Sequence, residues 1–209
     1  MTDSRPKAML LLGPTSSGKT PLGEMLQLRG LRGESCSHFD FGLNLRQIAA
    51  GEKVLEALTD SDVKFIRSVL QSSALLEDDT FYIAEAILRD FISTIDTGSI
   101  IILNGLPRHL GQARQVSEII DIRYICELYC DAEVLRARIA CNSGGDRAGR
   151  CDDDDAAIAR KLEIYNQRIL PLVDYYRKAC VEINTVPVDV ETSADEMWQM
   201  LNLRIPKDD

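Results

Sequence analysis

Residues 8–20 read AMLLLGPTSSGKT, and this stretch decides the fold. Ala8–Leu12 is a short apolar run that stops at Gly13, the pattern of a buried strand bounded by a turn. From there Gly13, Pro14, Thr15, Ser16, Ser17, Gly18, Lys19 and Thr20 follow the pattern G-x-x-x-x-G-K-[ST] without a gap. Glycines let backbone N–H groups turn inward around phosphate oxygens, and the positive end of the following helix points at them. Lys19 places a point charge on the β and γ phosphates of a nucleotide. The Thr20 hydroxyl can join the shell of a Mg²⁺ ion, directly or through water. Pro21 is tolerated in the first turn of a helix. The pattern alone arises by chance; lying between an apolar strand and a helix, it predicts a site for ATP or GTP. It says nothing of a second substrate.

Outward from this loop, four further segments read as buried strands: His38–Phe41, Ile100–Leu103, Arg123–Tyr129 and Val181–Val188. Helical patterns separate them, so the alternation predicts a five-stranded parallel sheet with right-handed crossovers and helices on both faces. Ligands in such folds bind at the carboxyl ends of the strands. The first and third strands run directly into Gly13 and Gly105, which puts both loops on that edge. Between the second and third strands, residues 43–96 read as helical with breaks near Gly51 and near 72–79, a small insertion beside the sheet. Residues 142–155 hold three glycines and five aspartates. Composition alone fits either a mobile loop over the sheet edge or a surface linker. Residues 156–180 read as one long amphipathic helix, kinked at Pro171.

The 209 residues fit one α/β domain and bury a continuous core unaided. The net charge of −9 argues against nucleic-acid binding, which needs clustered Lys and Arg, but not against a small phosphate ligand. No apolar run approaches the roughly 20 residues of a membrane span, and residues 1–7 lack a signal-peptide layout. The six cysteines form no C-x-x-C pair and read as reduced thiols. These features predict a cytoplasmic protein with no membrane or nucleic-acid partner.

Three more segments bear on the second substrate. Asn104-Gly105-Leu106-Pro107-Arg108 follows the third strand, with Gln112 four residues on. Leu43-Asn44-Leu45-Arg46 follows the second. Gly149-Arg150-Cys151-Asp152-Asp153 precedes the long helix. With the phosphate loop, these segments resemble the adenylate kinase family over nearly the whole chain, at its D-G-F-P-R, D-x-L-R and G-R-x-D-D motifs. The resemblance implies a three-layer P-loop NTPase fold: a five-stranded parallel sheet with helices on both faces, a small helical NMP-binding insertion and a short lid. It implies a single kinase domain over 1–209, with a core of 1–41, 97–141 and 156–209, the insertion at about 42–96 and the lid at about 142–155. The lid is too short for the zinc-bearing subdomain of some members.

By the same resemblance, Arg108 and Arg46 grip the acceptor phosphate beside Phe41 and Gly105, and Gln112 reads adenine. An amide there can donate to and accept from adjacent edge atoms of the base. Arg138 falls where an arginine contacts the ATP side. Arg150 swings in on closure to stabilise the transferring phosphoryl, and Arg147, Asp152 and Asp153 belong to the lid. Lys161, on the long helix, takes part in acceptor binding and transfer. The reaction implied is transfer of the γ-phosphoryl of ATP to a nucleoside monophosphate, AMP first among them, with Mg²⁺ as cofactor and the protein a monomer.

The chain departs from the family pattern at specific points. Asn104 stands where an aspartate orients metal-bound water, removing a negative charge from the outer shell of the metal. Lys161 replaces an arginine and loses its fork. Gly144 or Asn142 occupies the place of a further arginine. Phe41 and Leu43 replace small or polar residues beside the acceptor. Two other readings therefore stay open: a kinase for another acceptor (CMP, UMP, a deoxynucleotide or a small alcohol), and a nucleotide-binding regulatory protein weakened in catalysis.

Overall fold

The computed structural model describes residues 5–72, 74–141, 143, 155–179 and 181–204, with backbone alone at 155–158 and 161. Five strands form one parallel sheet: β1 Lys7–Leu12, β2 Cys36–Asp40, β3 Ile100–Asn104, β4 Asp121–Tyr129 and β5 Glu182–Pro187. Their order across the sheet is β2-β3-β1-β4-β5. All five expected strands are present, with ends within three residues of those expected.

The sheet has a core on each face because its central strands alternate with period two. Ala8, Leu10 and Leu12 of β1, with Ile101 and Leu103 of β3, enter one cluster. Met9 and Leu11, with Ile100 and Ile102, enter the other. The first cluster packs against α2 (Phe41–Ala50), α3 (Asp60–Ser72), α4 (Phe81–Thr94), α5 (Leu110–Ser117) and α8 (Leu170–Lys178). The second packs against α1 (Lys19–Arg29) and α9 (Ala194–Arg204). A register shift where β1 meets β4, Ala8 opposite Ile122 and Met9 opposite Tyr124, skips Arg123. It turns Ile122 and Ile125 to the same core.

Two local expectations need correction. Phe41 does not end the second strand; it opens α2. Asp40, in an extended conformation, accepts the Leu43 N–H at 2.8 Å through Oδ1 and so ends the strand and caps the helix one residue before the expected strand end. The stretch from Asp155 to Lys178 is not one regular helix kinked at Pro171. It is α7 (Asp155–Ile164), a wide π turn over Tyr165–Ile169, and then α8. Pro171 lies in the first turn of α8, and its missing N–H and its ring disfavour a regular α ladder through the preceding turn.

Among the described residues, the regular elements of the insertion between β2 and β3 are the helices α2 to α4 and a short 3₁₀ turn at Asp78–Thr80. Thr59 and Asp62 close the start of α3 reciprocally. Asp62 Oδ2 accepts the Thr59 N–H at 2.8 Å, while Thr59 Oγ1 accepts the Asp62 N–H at 3.3 Å. Among the described residues, no helix is long and apolar enough to cross a membrane.

Candidate active site

The carboxyl ends of β1, β2 and β3 open into one cleft. Its lining includes Gly13 to Ser16 and Gly18 to Thr20 of the phosphate loop, then Asp40, Arg46, Asn104, Gly105 and Arg108. An apolar wall from Val69, Leu70, Ala74 and Leu75 closes one side, and Ile164, Tyr165 and Ile169 close another.

The phosphate loop is built for close backbone approach. Gly13 has φ +152°, and a Cβ there would stand 2.6 Å from Ser17 Oγ and 2.9 Å from the Leu128 carbonyl oxygen. Only glycine fits. Lys19 folds its side chain back over the loop, donating to the carbonyls of Gly13 at 2.7 Å and Pro14 at 2.6 Å. These are neutral partners, which a phosphate oxygen can replace with a stronger, charge-assisted one.

Arg138 is buried, 1% exposed. Its Nε donates to the Ser16 carbonyl at 3.0 Å, and its Nη1 to the carbonyls of Asp189, Val190 and Thr192 at 2.6, 3.1 and 3.1 Å. The guanidinium therefore clamps the phosphate loop to the segment after β5. It touches the nucleotide side through the loop backbone.

On the acceptor side, Arg108 and Arg46 face the same cleft from different elements. Arg108 follows β3; its Nε donates to the Gly105 carbonyl at 2.8 Å, and its Nη2 lies 3.3 Å from where a Gly105 Cβ would stand. Arg46 lies on α2 with Nη1 above Gly42. Burial pulls the Arg108 pKa below the ordinary arginine value; Asp40 offsets this and the charge of Arg46 adds to it. Neither arginine has a carboxylate within ion-pairing distance among the described residues. Two guanidiniums that repel each other and lack paired anions are the natural receptor for a phosphate dianion.

Gln112 is fully buried. Its Oε1 accepts the Arg108 N–H at 2.8 Å and its Nε2 donates to the Leu76 carbonyl at 2.8 Å. One amide hydrogen and one lone pair remain of its capacity. Gln112 thus ties the Arg108 loop to the insertion. His109 does the same, its Nε2 lying 3.0 Å from the same Leu76 oxygen. Phe41 turns into the core, its ring 6.2 Å from that of Phe39, and Leu43 is exposed. Arg147, Arg150, Asp152 and Asp153 lie outside the described residues, as do Asn142 and Gly144. Lys161 is placed on α7 by its backbone only.

Two features of the site escaped the sequence reading. The π turn carries Tyr165 and Ile169 into the cleft; burial pushes the Tyr165 hydroxyl up to about 12. Asp40 is the other. Thr20 Oγ1 donates to Asp40 Oδ2 at 2.9 Å, and Asn104 Nδ2 donates to both, at 3.0 and 3.1 Å. The signal for it was an aspartate at the junction of strand and helix, in register with Asn104 on β3.

Mg²⁺ fits this donor set in the way it fits few all-protein cages. Among the described residues, no group of three or more His, Cys, Asp or Glu could hold a metal alone. Mg²⁺ keeps several waters and is held by one or two carboxylates plus substrate phosphates. Thr20 and Asp40 supply a hydroxyl and a carboxylate beside the phosphate loop, which meets that requirement.

Comparison with known proteins gives a consistent picture. The chain is 28% identical over 200 residues to the adenylate kinase of Synechococcus sp. (strain WH7803), covering 92% of this chain and 95% of that one. It is 28% identical over 202 residues to the adenylate kinase of Tropheryma whipplei (strain Twist), covering 92% and 94%. It is 29% identical over 178 residues to that of Stenotrophomonas maltophilia (strain K279a), covering 80% and 84%. No family model matches the chain.

Proposed function

With the chain a relative of the adenylate kinases and a phosphotransferase of the nucleoside monophosphate kinase type, we propose that it moves the γ-phosphoryl of ATP onto AMP, giving two ADP. The observation that carries this reading is the pair of arginines Arg46 and Arg108, with no carboxylate in ion-pairing distance among the described residues, in the same cleft as the phosphate loop. A donor cradle and a dianion receptor in one cleft are what transfer between two nucleotides requires.

In this reading the chain aligns and neutralises; it does no covalent chemistry. An oxygen of the acceptor phosphate bonds to the γ-phosphorus as the bond to the bridging oxygen breaks. Lys19 leaves the Gly13 and Pro14 carbonyls and follows the charge on the β and γ phosphates. Arg46 and Arg108 offset the acceptor dianion, so that two anions can approach. Arg138 holds Ser16, and through it the loop, in the receiving shape. Thr20 would hold Mg²⁺ with the Asp40 carboxylate beside it, and the ion would supply charge neutralisation to the phosphates when bound. Arg150 and Lys161 complete the charge shell from the lid and α7, and the lid (about 142–155) excludes water. We assign the insertion, about 42–96, to monophosphate binding, and the protein acts as a cytoplasmic monomer.

The adenine assignment rests on the place of Gln112 in the family pattern. Its side chain is fully buried, lies outside the cleft lining and is bonded to Arg108 and Leu76, so reading the base requires it to give up one of these contacts. A coupled ADP-release assay with Mg·ATP tests this, comparing AMP with CMP, UMP, GMP and dAMP. Turnover confined to adenine acceptors is the expected result. Turnover with a pyrimidine acceptor instead would overturn the adenine assignment and keep the rest. ATP binding with no transfer to any acceptor would overturn the kinase reading.

A further inference from the structure

The site holds one acid that no motif accounts for. Among the described residues that line the cleft, Asp40 is the sole carboxylate. Its two oxygens are separately committed. Oδ1 accepts the Leu43 N–H at 2.8 Å and caps α2, which fixes the plane of the group. Oδ2 is thereby aimed at Thr20 Oγ1, 2.9 Å away. Thr20 is the phosphate-loop hydroxyl suited to a nucleotide-bound cation, so the negative charge closest to that hydroxyl sits at the end of β2.

The neighbouring strand explains why it can sit there. Asp40 and Asn104 are register partners at the ends of β2 and β3, with side chains 3.1 Å apart. Two carboxylates that close would repel, and one would have to take up a proton. Here position 104 is an amide, and its Nδ2 donates to both Asp40 Oδ2 and Thr20 Oγ1. Asn104 thus presents hydrogens, not lone pairs, to the group. With that nitrogen turned to the group it does not act as the acceptor for metal-bound water; it holds the Asp40 carboxylate in place by donating to it.

We infer that Asp40 is the carboxylate that orients the hydration shell of the nucleotide-bound divalent cation, with Asn104 serving as its positioning partner. The charge absent from the end of β3 is carried one strand over, on a side chain locked by the cap of α2. With Thr20 engaged by a nucleotide-bound cation, Asp40 Oδ2 would be free of the Thr20 O–H and could accept from a water of the hydration shell, a charge-assisted bond of the stronger class. This inference rests on the phosphate loop binding ATP, as the proposed function requires, but not on the identity of the acceptor.

The test is calorimetric titration of the purified full chain with a non-hydrolysable ATP analogue, in Mg²⁺ and in EDTA. The variants are Asp40→Asn and the exchange Asp40→Asn with Asn104→Asp. Asparagine is as good a helix cap as aspartate, so Asp40→Asn removes charge and leaves the cap. Thermal melting of each variant checks that it does. The expected result is that Mg²⁺ strengthens binding to the parent at least tenfold more than to Asp40→Asn, with binding in EDTA unchanged or tighter in the variant. The exchange, which puts the carboxylate at the end of β3, restores the Mg²⁺ dependence. An Asp40→Asn protein that keeps the parental Mg²⁺ dependence overturns the inference. So does a folded exchange variant in which that dependence stays lost. Neither readout involves an acceptor, so failure here leaves the transfer assay untouched, and failure of transfer to every acceptor leaves this result standing.

Discussion

The two sides of the cleft are built on different principles. The phosphate side is mostly backbone. Gly13, Gly18 and the start of α1 shape it, and Lys19 rests on carbonyls five and six residues away in sequence. The rest of the cleft, from the carboxylate beside Thr20 to the acceptor arginines, is mostly side chain, assembled across long separations. Asp40 meets Thr20 and Asn104 across 20 and 64 residues, and Gln112 reaches Leu76 across 36. A backbone site depends on a few residue types in a fixed local order. A side-chain site depends on the register of strands and the docking of helices, so substitutions at one position can be answered at another. Asn104 and Asp40 illustrate this, since neither makes sense without the other.

That contrast can be broken by experiment. Lys19→Ala should have the largest effect, lowering phosphoryl transfer at least about a hundredfold with an unchanged melting profile, because it removes a charge aimed at the transferring group. An enzyme that keeps most of its turnover would show that the loop backbone alone is the cradle. Arg108→Lys comes next. It keeps the charge but loses the fork, and should raise KM for the acceptor about tenfold to a hundredfold, with affinity for ATP the same. Equal losses for both substrates would mean that the two sides are not separable. Gln112→Ala should cost about 1–3 kcal/mol in denaturant unfolding, since the Leu76 carbonyl and the Arg108 N–H each lose a buried partner. It should also flatten the preference among acceptor bases; a stable variant with unaltered preference would reduce Gln112 to an incidental residue.

The smallest expected effect concerns the framework and not the site. Burial pushes the Cys36 and Cys126 thiols up to about 12, so at pH 8 both stay protonated and unreactive. Cys141 is exposed. Brief alkylation of the folded protein followed by peptide mapping should label Cys141 well before Cys36 or Cys126, with no change in the melting temperature. Early labelling at Cys126 would mean that the β4 core opens more readily than its packing implies.

The sequence carried the framework well and the acceptor side less well, for a physical reason. β1 and β3 are runs of aliphatic residues halted by glycine and by the polar Asn104, so their ends are visible without partners. The phosphate loop is legible because its geometry is local. Phe41 shows where such reading fails. It follows Phe39 and Asp40 as the next apolar residue of the segment read as strand, yet the cap offered by Asp40 turns the backbone into α2 one residue sooner. The π turn at Tyr165–Ile169 has no glycine to announce it, and Pro171, the one visible breaker, acts on the turn before itself. Asp40 stood within the segment read as strand, and its role appears only when β2 is laid beside β3.

The clamp made by Arg138 also bears on how the chain is born. Ser16 is translated early, Arg138 follows 122 residues later, and the carbonyls of 189–192 come 51 to 54 residues after that. At roughly 5–20 residues per second on the ribosome, the phosphate loop leaves the exit tunnel well before either half of its support. A nascent chain halted before residue 189 has Arg138 without its three outer acceptors, so ATP should bind weakly to it.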